Sequence, residues 1–371
     1  MSSASIKEFQ HLRISLQDLK SATNDFAETN CIGRGGFGKV YKGEIFLSGV
    51  LNAVAIKRLD RTFGQGTPEF WKEVLFLSQY KHENLVSLLG FCDENGENLL
   101  VYKYLSNRSL DLYLNSVNLS LSQRLVICVE AAMGLQYLHE PLEGSQQRVL
   151  HRDIKSANIL LDHNWRAKIA DFGLSKLSPA NQQFSFAYSG VVGTMGYCDP
   201  VYAQKGFLTK ESDVYSFGVV LFEVLCGRPS EQNYYSYNDI RRYLIALSRE
   251  CYEKKKMYSI IHVGLQGHIS LKCLEKFSTI AYRCTHIERA KRPTMDEVVK
   301  ELKFALLDQV RFEIFSLAGS CMPSECGGMR NRTGEMGDSL ACLNESIVGD
   351  HVVGQQVADN AVPVLFLVFG S

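Results

Sequence analysis

"CIGRGGFGKVYKG", Cys31 to Gly43, carries five glycines in thirteen positions. The spacing Gly33-x-Gly35-x-x-Gly38 fits two phosphate-binding designs, the turn of a dinucleotide-binding fold and a hairpin that closes over a nucleotide. A Walker loop is excluded, because no Gly-Lys-Ser/Thr ends the run. The flanking residues separate the two remaining designs. A dinucleotide turn lies between a strand and a helix, with an acidic residue about 20 positions on to hold the ribose. Here Ile32 before the glycines and Val40 and Tyr41 after them read as extended. "LNAVAIKRL" then alternates Ala53, Ala55 and Lys57 against Val54 and Ile56. The order is strand, glycine turn, strand, turn, strand: an antiparallel meander. Glycines at its first turn leave backbone N–H groups free to face phosphate oxygens, with no Cβ atoms in the way.

The bulk composition narrows the class. The 371 residues are enough for two lobes with their own cores, and 40 Lys+Arg balance 40 Asp+Glu, so no global field points to nucleic acid. Eleven cysteines lack a repeated CxxC or zinc spacing and read as reduced thiols. "MSSASIKEFQ" has no apolar signal region, and "VPVLFLVFG" is too short for a membrane span. The expected location is cytoplasmic, with peripheral attachment at the inner face of the plasma membrane as a variant, unless the chain is the inner part of a longer receptor.

Periodicity sets out the elements. Leu16, Leu19 and Ala22 share a short helix that Ser15 is placed to cap. Thr67, Pro68 and Glu69 open a second helix with Phe70, Val74 and Leu77 on its apolar face. "LVSLLGFC" and "NLLVYKYL" complete a lobe of five strands and one main helix. "SQRLVICVEAAMGLQYLHE", "SDVYSFGVVLFEVLCG" (capped by Ser212) and "TMDEVVKELKFALLDQ" are long, strongly apolar helices of a second lobe. The pattern fails beyond about Val310, which predicts a disordered tail over 309–371.

Two stretches carry chemistry. "VLHRDIKSANILL" supplies Asp153 to take a hydroxyl proton, Lys155 to reach a transferring phosphate and Asn158 as an oxygen donor to a cation. "AKIADFGLSK" supplies Asp171, a second hard oxygen ligand of the kind magnesium prefers. Together with the glycine run and Val54-Ala55-Ile56-Lys57, these residues resemble the eukaryotic protein kinases. "SATNDF", "EFWKEVLFLS", "HENLVSLLGFC", "LVYKYLSNRSL" and "GTMGYCDPVY" extend the likeness to the plant receptor-like kinase group, receptor-like cytoplasmic kinases included, over about residues 12–308.

The resemblance implies an α+β, bilobal protein-kinase fold: a lead-in over 1–25, a kinase domain over 26–308 (lobes 26–105 and 106–308), then the tail. It implies that Lys57 grips the α/β-phosphates of ATP and pairs with Glu73. Tyr102 stands at the gatekeeper position, and the backbones of Lys103 and Leu105 meet the adenine edge. Ile32, Val40, Ala55 and Leu160 sandwich the ring beneath Gly33, Gly35 and Gly38. Asn158 and Asp171 hold Mg2+, or Mn2+ in its place, and Asp213 holds the HRD backbone. Lys155 and Thr194 mark the Ser/Thr type. Arg152 implies control by activation-loop phosphorylation, with Ser189 the foremost site and Ser185 and Thr194 as further candidates. Protein substrates and receptor or co-receptor kinases are the implied partners. A weakly active pseudokinase scaffold is the alternative, and a dinucleotide oxidoreductase would leave "HRDIKSAN" and "DFG" without a role. One position departs from the family: Val201 stands where kinases generally carry the Glu that pairs with an arginine, here Arg292. The expectation is a stranded charge and a loosened activation segment, unless Arg292 turns to solvent, admits water or finds an acceptor such as Asp199.

Overall fold

The computed structural model describes residues 8–320 apart from residue 37, 61–65, 181–186, 189 and 231–238. The Ser15 side chain accepts from Asp18 N and opens α1 (Leu16–Ala22), as its sequence predicts. α1 turns Leu16 and Leu19 into a core with Phe26, Tyr41, Ile45 and Val54. The chain before it is also tied down: Phe9 is buried and Ile14 N donates to Phe91 O at 2.9 Å. From Phe9 onward the lead-in is thus structurally part of the small lobe.

The meander is present as β1 (Cys31–Gly35), β2 (Gly38–Leu47) and β3 (Val50–Leu59), joined by β4 (Leu88–Cys92) and β5 (Leu99–Lys103). The five-stranded sheet has the order β1-β2-β3-β5-β4 with antiparallel neighbours throughout. Gly38 is irreplaceable on steric grounds. Its φ is +130°, and a Cβ there would lie 2.0 Å from Arg58 O. α2 (Gly66–Gln79) starts one residue before the expected cap Thr67. It serves two cores. Phe70 and Val74 pack with Phe91 and Leu100 in the small lobe, whereas Phe76, Leu77 and, just beyond its end, Tyr80 belong to the core of the large lobe.

The large lobe is built on α3 (Leu121–His139), opened by a capping box between Ser120 and Gln123. Short antiparallel pairs follow: β6 (Gln147–Leu150) with β9 (Lys176–Pro179), and β7 (Ile159–Leu161) with β8 (Ala167–Ile169). β10 (Ala187–Tyr188) pairs with β11 (Phe207–Leu208), flanking α4 (Pro200–Lys205). α5 (Lys210–Cys226) is buried along nearly its whole length and ends at Gly227, φ 67°. Its cap is Thr209, whose backbone N donates to Ser212 Oγ at 3.3 Å, so Ser212 is not the cap itself. α6 (Leu244–Glu253), α7 (Leu271–Cys284) and α8 (Met295–Ser320) complete the lobe.

The expected break near Val310 is absent: α8 continues to Ser320. Gln309 is fully buried, its Nε2 donating to His268 O at 2.8 Å and its Oε1 accepting from Ser270 N at 3.0 Å. Glu313 accepts from Ser122 Oγ at 2.7 Å, joining α8 to the start of α3. The boundary at 308 therefore cuts through a packed helix. Polar residues at Asp308, Gln309 and Glu313 interrupt the apolar period, yet Gln309 and Glu313 are held by hydrogen bonds and Asp308 by an ion pair with Lys276 at 2.7 Å.

Candidate active site

Alternation along β3 sends Val54 and Ile56 into the small-lobe core and turns Ala55 and Lys57 towards the cleft. Lys57 Nζ lies 2.8 Å from Glu73 Oε1 and 2.8 Å from Asp171 Oδ1. Burial opposes its charge, but the two carboxylates outweigh that and raise its pKa. Glu73 is 1% exposed, and burial pushes its carboxyl upward against the pull of Lys57. Burial also works against Asp171, yet Lys57 holds that carboxyl below its usual range. The second oxygen of Glu73 accepts from Tyr102 OH at 2.5 Å, a bond that the sequence did not foreshadow.

The catalytic loop follows β6. Arg152 and Asp171 both have left-handed backbone, φ 75° and 71°, which is costly for residues with side chains. The surroundings hold them there. Asp213, at the start of α5, accepts from His151 N and Arg152 N at 2.8 Å each and contacts His139 Nε2 at 3.2 Å. Phe172 is buried edge-on to the His151 ring, centroids 5.1 Å apart. Asn158 Nδ2 donates to Asp153 O at 2.8 Å and to Oδ2 at 3.0 Å, which leaves Asn158 Oδ1 as the oxygen available to a cation. Lys155 Nζ sits 2.8 Å from Asp153 Oδ2. Thr194 Oγ1 donates to Asp153 Oδ1 at 2.6 Å and accepts from Lys155 Nζ at 2.8 Å.

A cleft of about 560 Å³ between the lobes gathers most of the expected residues: Ile32, Gly33, Gly35, Gly38, Val40, Ala55, Lys57, Lys103, Leu105, Lys155, Asn158, Leu160 and Asp171 line it. Glu73 stands behind Lys57 and Asp153 beside Lys155. An added Cβ at Gly35 would meet nothing within 4 Å. Among the described residues no group of three or more His, Cys, Asp or Glu could hold a metal alone. A cation here would need phosphate oxygens beside Asn158 and Asp171, which is the way magnesium binds.

Residues 26–302 match the family described as protein tyrosine and serine/threonine kinase. The chain belongs to the protein kinase family. Among its relatives is a probable receptor-like protein kinase of Arabidopsis thaliana, 45% identical over 300 residues, covering 79% of this chain and 33% of that protein. ANXUR2 of Arabidopsis thaliana is 41% identical over 349 residues (93% and 39%), and FERONIA of the same plant 42% over 295 residues (79% and 32%). The chain is thus similar to the kinase portions of plant receptor-like kinases, and it spans about a third of the length of these relatives. Among the described residues no helix is long and apolar enough to cross a membrane.

Two features of the kinase's activation segment complete the site. Ser185 and Ser189 lie outside the described residues, while the Arg152 guanidinium donates to Tyr202 OH at 2.7 Å and to Leu174 O and Gly190 O at 3.0 Å each. Arg292 is not stranded. Its NH2 group meets Asp199 Oδ1 at 2.9 Å, so the expected unpaired charge at Val201 is corrected: the carboxylate comes from two residues earlier.

Proposed function

We propose that this kinase transfers the γ-phosphate of ATP to serine and threonine hydroxyls of protein substrates, its own included, in plant receptor-like kinase signalling. The observation that carries the reading is the Thr194 hydroxyl bonded at once to Asp153 Oδ1 (2.6 Å) and Lys155 Nζ (2.8 Å). An aliphatic hydroxyl there occupies the place of an acceptor about to lose its proton. Asp153 takes that proton as the oxygen–phosphorus bond forms and the β–γ bridge breaks, and Lys155 offsets the charge that develops. Lys57, steadied by Glu73, holds the α/β-phosphates. Lys103 N is already bonded to Ser87 O at 3.0 Å, so an adenine edge would meet Lys103 through its carbonyl and Leu105 through its N–H. Asn158 and Asp171 would hold Mg2+ (or Mn2+), which neutralises phosphate charge when bound. A phosphate on Ser189 would control activity through Arg152 on this reading. Action in the cytoplasm, at or near the inner face of the plasma membrane beside receptor kinases, fits the relatives' descriptions as receptor-like kinases.

Incubation of the full chain with γ-32P-labelled ATP and Mg2+, followed by phosphoamino-acid analysis, tests this. Label on serine and threonine is expected, and Asp153→Asn should reduce it roughly 10²–10⁴-fold. Label on tyrosine alone would overturn the Ser/Thr reading, and no transfer by the wild type would favour the scaffold.

A further inference from the structure

We propose that Asp199 is the residue that positions this kinase's substrate-facing loop. The inference rests on the kinase reading above. Asp199 is 1% exposed and its carboxylate meets five donors. Oδ1 accepts from Arg292 NH2 at 2.9 Å and Val201 N at 3.0 Å. Oδ2 accepts from Arg289 Nε and NH2 at 2.8 and 2.6 Å and from Ser212 Oγ at 2.9 Å. Arg292 has a fully buried side chain and, among the described residues, no second carboxylate in ion-pair contact. Its remaining donors go to the carbonyls of His286, Glu211 and Ile287, and its plane lies 5.0 Å from the Tyr215 ring. A buried cation with a single anion fixes the position of that anion.

The anion lies on the segment that carries Thr194, five residues further on. Between them Tyr197 is held twice by α5, its OH donating to Glu223 Oε1 at 2.5 Å and its carbonyl accepting from Ser216 Oγ at 2.8 Å. The same helix presents Asp213 to the backbone of the catalytic loop. The Thr194–Asp153 contact therefore joins two segments suspended from one helix, and Asp199 is the charged attachment of the first. Its pull reaches the acceptor site through the loop, so its effect is on the protein substrate rather than on ATP.

The test uses the full chain, with kinetics on a serine peptide and hydrogen exchange over residues 190–206. Asp199→Asn keeps size and acceptor but removes the charge. It should raise the peptide KM at least about ten-fold with the ATP KM little changed, and speed exchange over 190–206 selectively. Adding Val201→Glu should restore both, whereas Val201→Glu alone should shift the peptide KM less than about two-fold, since Arg292 is already paired. A peptide KM within two-fold of wild type in Asp199→Asn, equal losses for ATP and peptide with exchange faster everywhere, or no rescue by Val201→Glu would each overturn the proposal. If Asp199→Asn alone does not fold, the double variant decides: recovered fold and peptide KM uphold it, and continued failure overturns it. A wild type without transfer would sink the kinase reading, while the exchange measurement would still judge the anchor.

Discussion

Glu73 keeps a buried carboxylate because Lys57 occupies one of its oxygens and Tyr102 the other. Lys57→Met should abolish transfer and also leave Glu73 with Tyr102 as its one remaining partner in the triad. Breaking a buried pair costs about 3–5 kcal/mol when the survivor must stay charged. Burial already pushes the Glu73 pKa up, so the folded variant binds a proton more readily than the unfolded chain. Its stability deficit should therefore be small at pH 5 and grow as pH rises towards 8; paired melting curves at the two values check this, and a pH-independent deficit would refute it. Glu223 offers a second titration. Burial lifts its carboxyl to about 7, above the ordinary 4.5. A raised folded pKa means that stability is full below about 4.5 and lost as pH climbs through 7, by about 3 kcal/mol in all. Glu223→Gln should flatten that slope in a melting series from pH 5 to 8. Lys57, Asp153 and Asp171 were legible because each sits in a fixed motif. The Tyr102–Glu73 bond was not, since it joins a strand to a helix 29 positions away and neither neighbourhood encodes the other.

At the scale of elements, helices whose apolar period matched their burial were legible almost to their ends. α3 and α5 are cases in point, although the true cap of α5 was displaced because both Thr209 and Ser212 are good capping residues. α8 is the exception. A buried, hydrogen-bonded glutamine looks like a surface residue in a hydropathy pattern, so the period predicts an end at a turn where the helix is anchored. Removing the chain from Gln309 onward should therefore destabilise the large lobe rather than spare it. Gln309→Ala alone should cost about 1–3 kcal/mol, because Ser270 N and His268 O lose their buried partner. Chemical denaturation of both variants measures this, and a stability within error of wild type would show that the last turns of α8 are dispensable. The same reasoning explains Arg292. The arginine and several candidate acceptors could be read from the sequence, but the choice of Asp199 is made where the start of α4 meets the connection between α7 and α8.

For the whole molecule the bilobal plan and the cleft between the lobes were readable from motif order alone, whereas the way the two halves share material was not. α2 contributes Phe70 and Val74 to one core and Phe76 and Leu77 to the other, with Tyr80 just beyond its end in the latter, and Leu88 and Tyr102 touch both. Neither half can be dismantled without exposing apolar surface that belongs to its neighbour. In calorimetric terms the kinase should melt as a single cooperative unit: one endotherm over the domain, with calorimetric and van't Hoff enthalpies in agreement. Mg–ADP, binding only the folded form, should move that peak upward as a whole by the mass-action increment. Two endotherms, of which Mg–ADP shifts one, would mean that the helix common to both cores lets go of one before the other melts.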